Sequence, residues 1–291
     1  MKKDYTEEIG IFLRGFLMGL CDVIPGVSGG TIALITGIYE RLIHAIGSMH
    51  PRMIKSFIAC DKKAILSDLK DIDFVFLVVL ASGIGVAFIL MSRVITYFLQ
   101  ELPQITYAFF FGLILASAVY LLRDIKERKY EYLILLIIGF ILGFILVGIK
   151  PLDIGHAPVT IFVTGMAALC AMILPGISGA YITLLFGQYE YMLTSLHNFA
   201  LFDILLFCIG GAVGLLLFTR ALKYLLAHYH APMLSVLIGL MLGTSRLLYM
   251  EVEHAGGFTL FSFLAIIVGI GVIAFMGLMA LKSEKKKEIS D

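Results

Sequence analysis

The sequence predicts an all-α, polytopic membrane protein made of two inverted-topology repeats, each a re-entrant helical hairpin followed by three transmembrane helices. Three observations lead there. Of the 291 residues, 60% are hydrophobic and 15% charged, against roughly 45–50% and about 25% in soluble domains. The excess lies in long apolar runs, which require lipid as their solvent. A passage containing Pro-Gly-x-Ser-Gly occurs twice, 150 positions apart. Finally, the basic residues gather in particular loops rather than along the whole chain.

The repeat fixes the element order. Residues 12–46 and 162–196 align so that Gly15 meets Gly165, Pro25-Gly26 meets Pro175-Gly176, Ser28-Gly29 meets Ser178-Gly179 and Tyr39-Glu40 meets Tyr189-Glu190. With a shorter offset, 80–99 aligns with 207–226, placing Arg93 on Arg220, and 112–122 aligns with 239–249. The first repeat, 1–150, therefore holds a hairpin at 9–47, a basic amphipathic loop at 48–72 and crossings at 74–98, 105–122 and 131–149. The second, 151–291, holds a hairpin at 158–197 and crossings at 203–226, 233–250 and 258–281, then a basic tail. Each crossing has about 18–25 residues, enough to traverse a core of roughly 30 Å with some tilt.

Charge supplies the orientation. Lys2, Lys3 and Arg14 lie at the start, Arg52, Lys55, Lys62, Lys63 and Lys70 in the long loop, Arg123, Lys126, Arg128 and Lys129 at 123–130, and Lys282, Lys285, Lys286 and Lys287 in the tail. The connections 100–104 and 197–202 contain no Lys or Arg. The positive-inside rule places the basic group, with both termini, in the cytoplasm. A hairpin that returns to its own side, followed by three crossings, turns the second half upside down, a recurrent transporter plan.

Other classes are excluded or unsupported. A net charge of +1 offers no field for nucleic acid. Cys21, Cys60, Cys170 and Cys208 show no CxxC or Cys/His spacing, so neither disulfide nor metal is expected. His228 and His230 are too few for a metal site, and no cofactor motif appears. Met1-Lys2-Lys3 opens an apolar stretch, but Asp22 and Pro25 interrupt it, so a retained segment is expected rather than a cleaved leader. Self-association into a homo-oligomer is left open.

The Pro-Gly passages carry the site expectation. Pro25 and Pro175 break a helix inside an apolar stretch, and Gly26, Gly29, Gly30, Gly176 and Gly179 give the backbone freedom. Irregular backbone at membrane depth is tolerated only inside protein or along a cavity. New helices starting near Ser28–Thr31 and Ser178–Tyr181 would aim free N–H groups into the membrane, an anion site. Packing is the competing explanation for glycines, and it suits Gly15/Gly19, Gly139/Gly143 and Gly239/Gly243; on that basis Gly139→Ala is expected to be mild.

Arg93 and Arg220 sit near the ends of their crossings, where phosphate binding competes with snorkelling to the head groups. Asp22 is a costly carboxylate at that depth, suited to proton coupling or to pairing with Arg14 or Arg41. Glu40 and Glu190 divide between ion coupling and the membrane interface. The stretch 52–70, with Ile54, Phe57, Ile58, Ile65 and Leu69 among its cations, fits an amphipathic helix on anionic lipid.

At CDVIPGVSGGTIALITGIYERLI and ALCAMILPGISGAYITLLFGQYEYML the chain resembles the bacterial polyprenyl-phosphate transporter family, formerly a domain of unknown function. The resemblance runs from about residue 10 to 280. It implies transbilayer movement of undecaprenyl phosphate in the cytoplasmic membrane, returning the carrier lipid to the inner leaflet for cell-envelope synthesis, with no enzymatic step. The residues themselves leave two alternatives: a transporter of a small soluble anion, and an intramembrane enzyme on lipid phosphates. The enzyme would need a base beside Ser28 or Ser178, and none adjoins them in sequence.

Overall fold

Each predicted crossing becomes helical, five of the six as a single helix, because twenty apolar residues in lipid have no other way to satisfy their backbone groups. The computed structural model describes all residues except 1–4, 25–26, 51–52, 54–55, 57–58, 60, 126, 128, 153 and 291, and only the backbone of 5–6 and 279–290. The described residues form helices and connections, with no strand among them. In order these are α1 (Tyr5–Asp22), α2 (Gly29–Ile35), α3 (Tyr39–Gly47), α4 (Lys62–Asp71), α5 (Phe74–Glu101), α6 (Pro103–Leu121) and α7 (Tyr130–Gly148). The second half follows with α8 (Pro158–Ile173), α9 (Gly179–Leu185), α10 (Tyr189–His197), α11 (Leu201–His228), α12 (His230–Thr244), α13 (Arg246–His254) and α14 (Leu260–Ser290).

Six stretches are long and apolar enough to cross a membrane: Phe74–Glu101, Pro103–Asp124, Tyr130–Gly148, Leu201–His228, His230–His254 and Leu260–Leu278. The fifth contains a break where one helix was expected over 233–250. Thr244 Oγ1 bonds back to the Leu240 and Met241 carbonyls and Ser245 Oγ to Leu242, at 3.0, 3.1 and 2.6 Å. Such back-bonding competes with the helical ladder and bends it. Of the expected amphipathic stretch, α4 is observed, its start capped by Asp61 Oδ1 accepting from Lys63 and Ala64 N–H; Arg52, Ile54, Lys55, Phe57 and Ile58 lie outside the described residues.

Each hairpin has three helices where two were expected. After α2, Gly37 adopts φ +71°, and Gly37 and Ile38 N–H donate to the Leu34 and Ala33 carbonyls. After α9, Gly187 at φ +64° repeats the arrangement with Gln188, onto Leu184 and Thr183. This is a Schellman stop, and its left-handed position requires glycine.

The chain divides into two compact units that do not follow the repeat boundary. Unit 1 comprises Met1–Ser92 and Ile149–His230: both hairpins, most of α5, and α11. Unit 2 comprises Arg93–Gly148 and Ala231–Asp291.

Inside unit 1 the repeat is visible in the packing. A β-carbon at Gly15 would collide with the Leu80 carbonyl, and one at Gly165 with the Phe207 carbonyl. Likewise Gly83 abuts the Phe12 carbonyl and Gly210 the Phe162 carbonyl. These are the aligned positions of the two halves, so α1 on α5 and α8 on α11 form the same small-residue contact.

Inside unit 2 the halves exchange partners. Gly112 on α6 abuts the Ile266 carbonyl of α14, while Gly239 on α12 abuts the Leu136 carbonyl of α7. Gly139 and Gly143 meet the Val236 and Leu240 carbonyls in turn. The packing role read for these glycines is thus observed, but a methyl at Gly139 would strike backbone, so Gly139→Ala is not a mild change.

Candidate functional site

The two Pro-Gly passages meet in unit 1. Ser28 is the N-cap of α2, with φ −120° and ψ 133°, and its Oγ accepts the Gly30 N–H at 3.1 Å. The same hydroxyl donates across to the other hairpin, to the Met172 and Leu174 carbonyls at 3.3 and 3.2 Å. In return the Gly176 N–H donates to Thr31 Oγ1 at 3.0 Å. Gly30 lies so near the second passage that a β-carbon would stand 2.5 Å from the Ile173 carbonyl oxygen. Ser28 and Thr31 are 1% and 0% exposed. Buried backbone groups must find partners, and here each loop supplies them to the other.

The helix starts differ from expectation. The Gly29 N–H donates to Asp22 Oδ1 at 2.7 Å, so a carboxylate of the chain itself already occupies the positive end of α2. Asp22 therefore pairs with neither Arg14 nor Arg41. Arg41 instead binds Glu7 and Asp73 at 2.8 and 2.7 Å and lies over the Phe76 ring. With Gly29, Gly30 and Gly176 N–H all engaged, the donors on these residues are not the free groups expected from the sequence.

The second passage is more open. Met172 stands where the repeat places Asp22 and is 46% exposed. Ser178, the N-cap of α9, makes no side-chain cap bond and is half-buried, as is Tyr181, while Ala180 is exposed. Gly179 is close-packed: a β-carbon would meet Met172 Cγ at 2.6 Å and the Ala168 carbonyl at 2.8 Å. Pro175 and Gly176 are buried, Gly176 at φ +82°. Pro25 and Gly26 lie outside the described residues.

The remaining candidates lie elsewhere. Arg220 donates from Nη2 to the Met49 carbonyl at 2.6 Å, and Lys223 Nζ to Ser48 Oγ at 2.9 Å. Both cations thus sit at the C-terminal end of α3, where helix carbonyls attract positive charge. Arg93 is exposed and belongs to unit 2. Glu40 pairs with His230 at 2.7 Å, and Glu190 is exposed at the start of α10. Cys21, Cys170 and Cys208 are free thiols, and Cys60 is not described. Among the described residues no three His, Cys, Asp or Glu side chains gather into a metal set.

One polar cluster went unread in the sequence. Gln188 is fully buried; its Nε2 donates to the Gly155 and Phe186 carbonyls at 2.7 and 3.2 Å, and its Oε1 lies 3.0 Å from His156 Nδ1. His156 stacks on Tyr191, whose hydroxyl donates to Asp203 at 2.8 Å. The signal was a polar residue where the repeat places Ile38.

Comparison with known proteins gives consistent matches. Residues 18–258 match the model of the VCA0040-like family, described as undecaprenyl phosphate translocase-like. A polyprenyl-phosphate transporter of Vibrio cholerae serotype O1 is 39% identical over 236 residues, 81% of this chain and 76% of that protein. One from Staphylococcus aureus is 30% identical over 251 residues, 80% of this chain and 83% of its own. No solved structure gives a significant match.

Proposed function

From the premise that this chain belongs to the VCA0040-like, undecaprenyl phosphate translocase-like family, we propose that it carries undecaprenyl phosphate across the bacterial cytoplasmic membrane, returning the carrier lipid to the inner leaflet for envelope synthesis. The relatives are named as transporters rather than enzymes. The observation that carries the reading is the interlocking of the two Pro-Gly passages through Ser28, Thr31, Leu174 and Gly176. A loop duplicated only for packing has no reason to meet its own copy through buried polar groups.

In this reading the repeats are inverted, the hairpins re-entrant and both termini cytoplasmic. The exchange of partners through close glycine contacts, α6 with α14 and α12 with α7, supports a two-fold relation between the halves. The phosphate seats at the more open second passage, near Ser178, Gly179 and Tyr181, with Pro175 and Gly176 shaping the approach. Ser28, Gly29, Gly30 and Thr31 form the opposing wall. Arg220, in the same unit, guides the anion toward the site rather than clamping it.

Asp22 would be the coupling group. A carboxylate beside a bound phosphate repels it, and protonation removes that repulsion. Proton uptake at Asp22 thereby favours head-group binding, with Glu40 and Glu190 as exposed relay groups. The prenyl chain stays in lipid throughout.

The test is transfer of a labelled short-chain polyprenyl phosphate by purified protein in liposomes, with its neutral alcohol and a soluble phosphate as comparisons. Transfer of the lipid phosphate alone, weakened in Ser178→Ala, is the expected result. Equal handling of alcohol and phosphate, or transport of the soluble anion only, refutes it.

A further inference from the structure

Unit 2 contains a hollow of about 470 Å³ between α6 and α14. That volume falls within the roughly 300–1,000 Å³ of small-molecule sites. Its walls are two helical stripes at i, i+3, i+4 spacing: Ala116, Val119 and Tyr120 on α6, and Ile270, Ile273 and Ala274 on α14. Small residues at 116 and 274 leave the space, and Ile273, 2% exposed, forms its floor. Val119, 62% exposed, stands at the lip. Where α6 ends, Arg123 closes the row of apolar lining.

We infer that this groove is a binding site for an anionic membrane phospholipid, with one acyl chain between α6 and α14 and the head-group phosphate on Arg123. Three features point to that occupant. The groove lies along two helices apolar enough to span a membrane, so acyl chains are its natural solvent. Its charged end belongs to the basic connection 122–130, and basic pockets at helix ends recognise anionic head groups. Arg offers phosphate a fixed planar fork. A neighbouring hollow of about 380 Å³ between α7 and α12 reaches the same connection through Lys129, but that cation already pairs with Glu127 at 2.7 Å. Because an acyl chain is as well solvated by lipid as by the groove, selectivity must come from the head group. This inference does not depend on what the protein transports.

The chain contains no Trp, so a single introduced indole reports on one place. Val119→Trp protein is reconstituted in phosphatidylcholine vesicles containing brominated phosphatidylglycerol or brominated phosphatidylcholine at equal mole fraction, and quenching is compared. The expected preference for phosphatidylglycerol is about five-fold, the worth of one cation near an anionic surface. Arg123→Gln in that background should bring the ratio to near one, and Lys129→Gln should leave it unchanged. Leu115→Trp on the same wall is a second probe should the first fail to fold, and Leu217→Trp on α11 should show no preference. Equal quenching by both lipids, or a preference that survives Arg123→Gln, overturns the assignment. Relief of quenching by polyprenyl phosphate at lower concentration than unbrominated phosphatidylglycerol also overturns it, because the groove would then belong to the transported lipid.

Discussion

Replacing Asp22 by Asn separates the two roles its carboxylate holds. The 2.7 Å bond from the Gly29 N–H is charge-assisted, a class worth about 1.5–3 kcal/mol, whereas a neutral amide acceptor in the same place is worth about 0.5–1.5 kcal/mol. Stability should therefore fall by about 1–1.5 kcal/mol, with up to about 1 kcal/mol more from the lost interaction with the α2 dipole. Head-group binding should move the other way. If the phosphate of the proposed mechanism seats on the order of 8 Å from the carboxylate, an effective dielectric of about 20 gives a repulsion of roughly 2 kcal/mol. Asp22→Asn should then bind a short-chain polyprenyl phosphate about 30-fold more tightly at pH 8 while releasing it more slowly and transporting less. Protonated wild-type protein has the same charge as the variant, so the affinity ratio should shrink toward one as pH falls. Titration of purified protein with the lipid across pH, beside a thermal melt, measures both effects. Weaker binding by the Asn variant at every pH would refute the reasoning, for it would make the carboxylate part of the binding apparatus rather than its competitor.

Three further outcomes are expected. In a cysteine-free background, a cysteine at Ser67 should resist an impermeant thiol reagent added outside the cell, while cysteines at Gln104 and Asn198 should react; labelling at Ser67 refutes the inverted arrangement. Gly30→Ala, whose methyl would press on the Ile173 carbonyl, should cost about 1–3 kcal/mol and part the two loops, whereas Gly85→Ala, which meets nothing within 4 Å, should gain about 1 kcal/mol of helix propensity; melting curves of the pair decide. Gln188→Ile, copying the first half, removes the partner of the Gly155 carbonyl and should cost about 1–3 kcal/mol, with faster hydrogen exchange across 152–157.

The crossings were legible because lipid imposes one requirement on every residue in them, and a run of apolar side chains meets it whatever its neighbours are. Glycine contacts were legible for a related reason: Gly139 and Gly143 share a helix face with nothing else to do there. The stops at Gly37 and Gly187, which fall at matching positions of the passages 12–46 and 162–196, are not legible in the sequence, because a Schellman turn and a packing glycine look alike until φ is known. Ser28 and Thr31 are legible as site residues, but not their use: a hydroxyl bonded to backbone 144–146 positions away leaves no local trace. Arg41 shows the same limit, since its partners Glu7 and Asp73 come from distant parts of the chain. Arg93 and Arg220 align as one pair, yet they fall in different compact units, and repeat symmetry does not carry function from one to the other.

The two hairpins share a skeleton, and just before the helix starts at their Pro-Gly passages they differ by one charge, Asp22 against Met172, a difference with a mechanical consequence. The bonds between the loops come from two donors, the Ser28 hydroxyl and the Gly176 N–H. Neutral bonds contribute about 0.5–1.5 kcal/mol each, so the lock between the loops is worth about 1–3 kcal/mol. That equals the coupling energy with which one bound ligand commonly shifts an equilibrium. Under the proposed function, the loops are held firmly enough to keep their register and loosely enough for a phosphate to part them. Identical loops would leave the anion no preferred side. With Asp22 accepting from the first helix start and Met172 offering no acceptor at the second, the phosphate of the proposed mechanism meets one attractive end and one whose attraction is already satisfied by the protein. In the proposed mechanism release follows when Asp22 regains its charge, and net direction comes from the proton gradient that sets that charge on either side of the membrane.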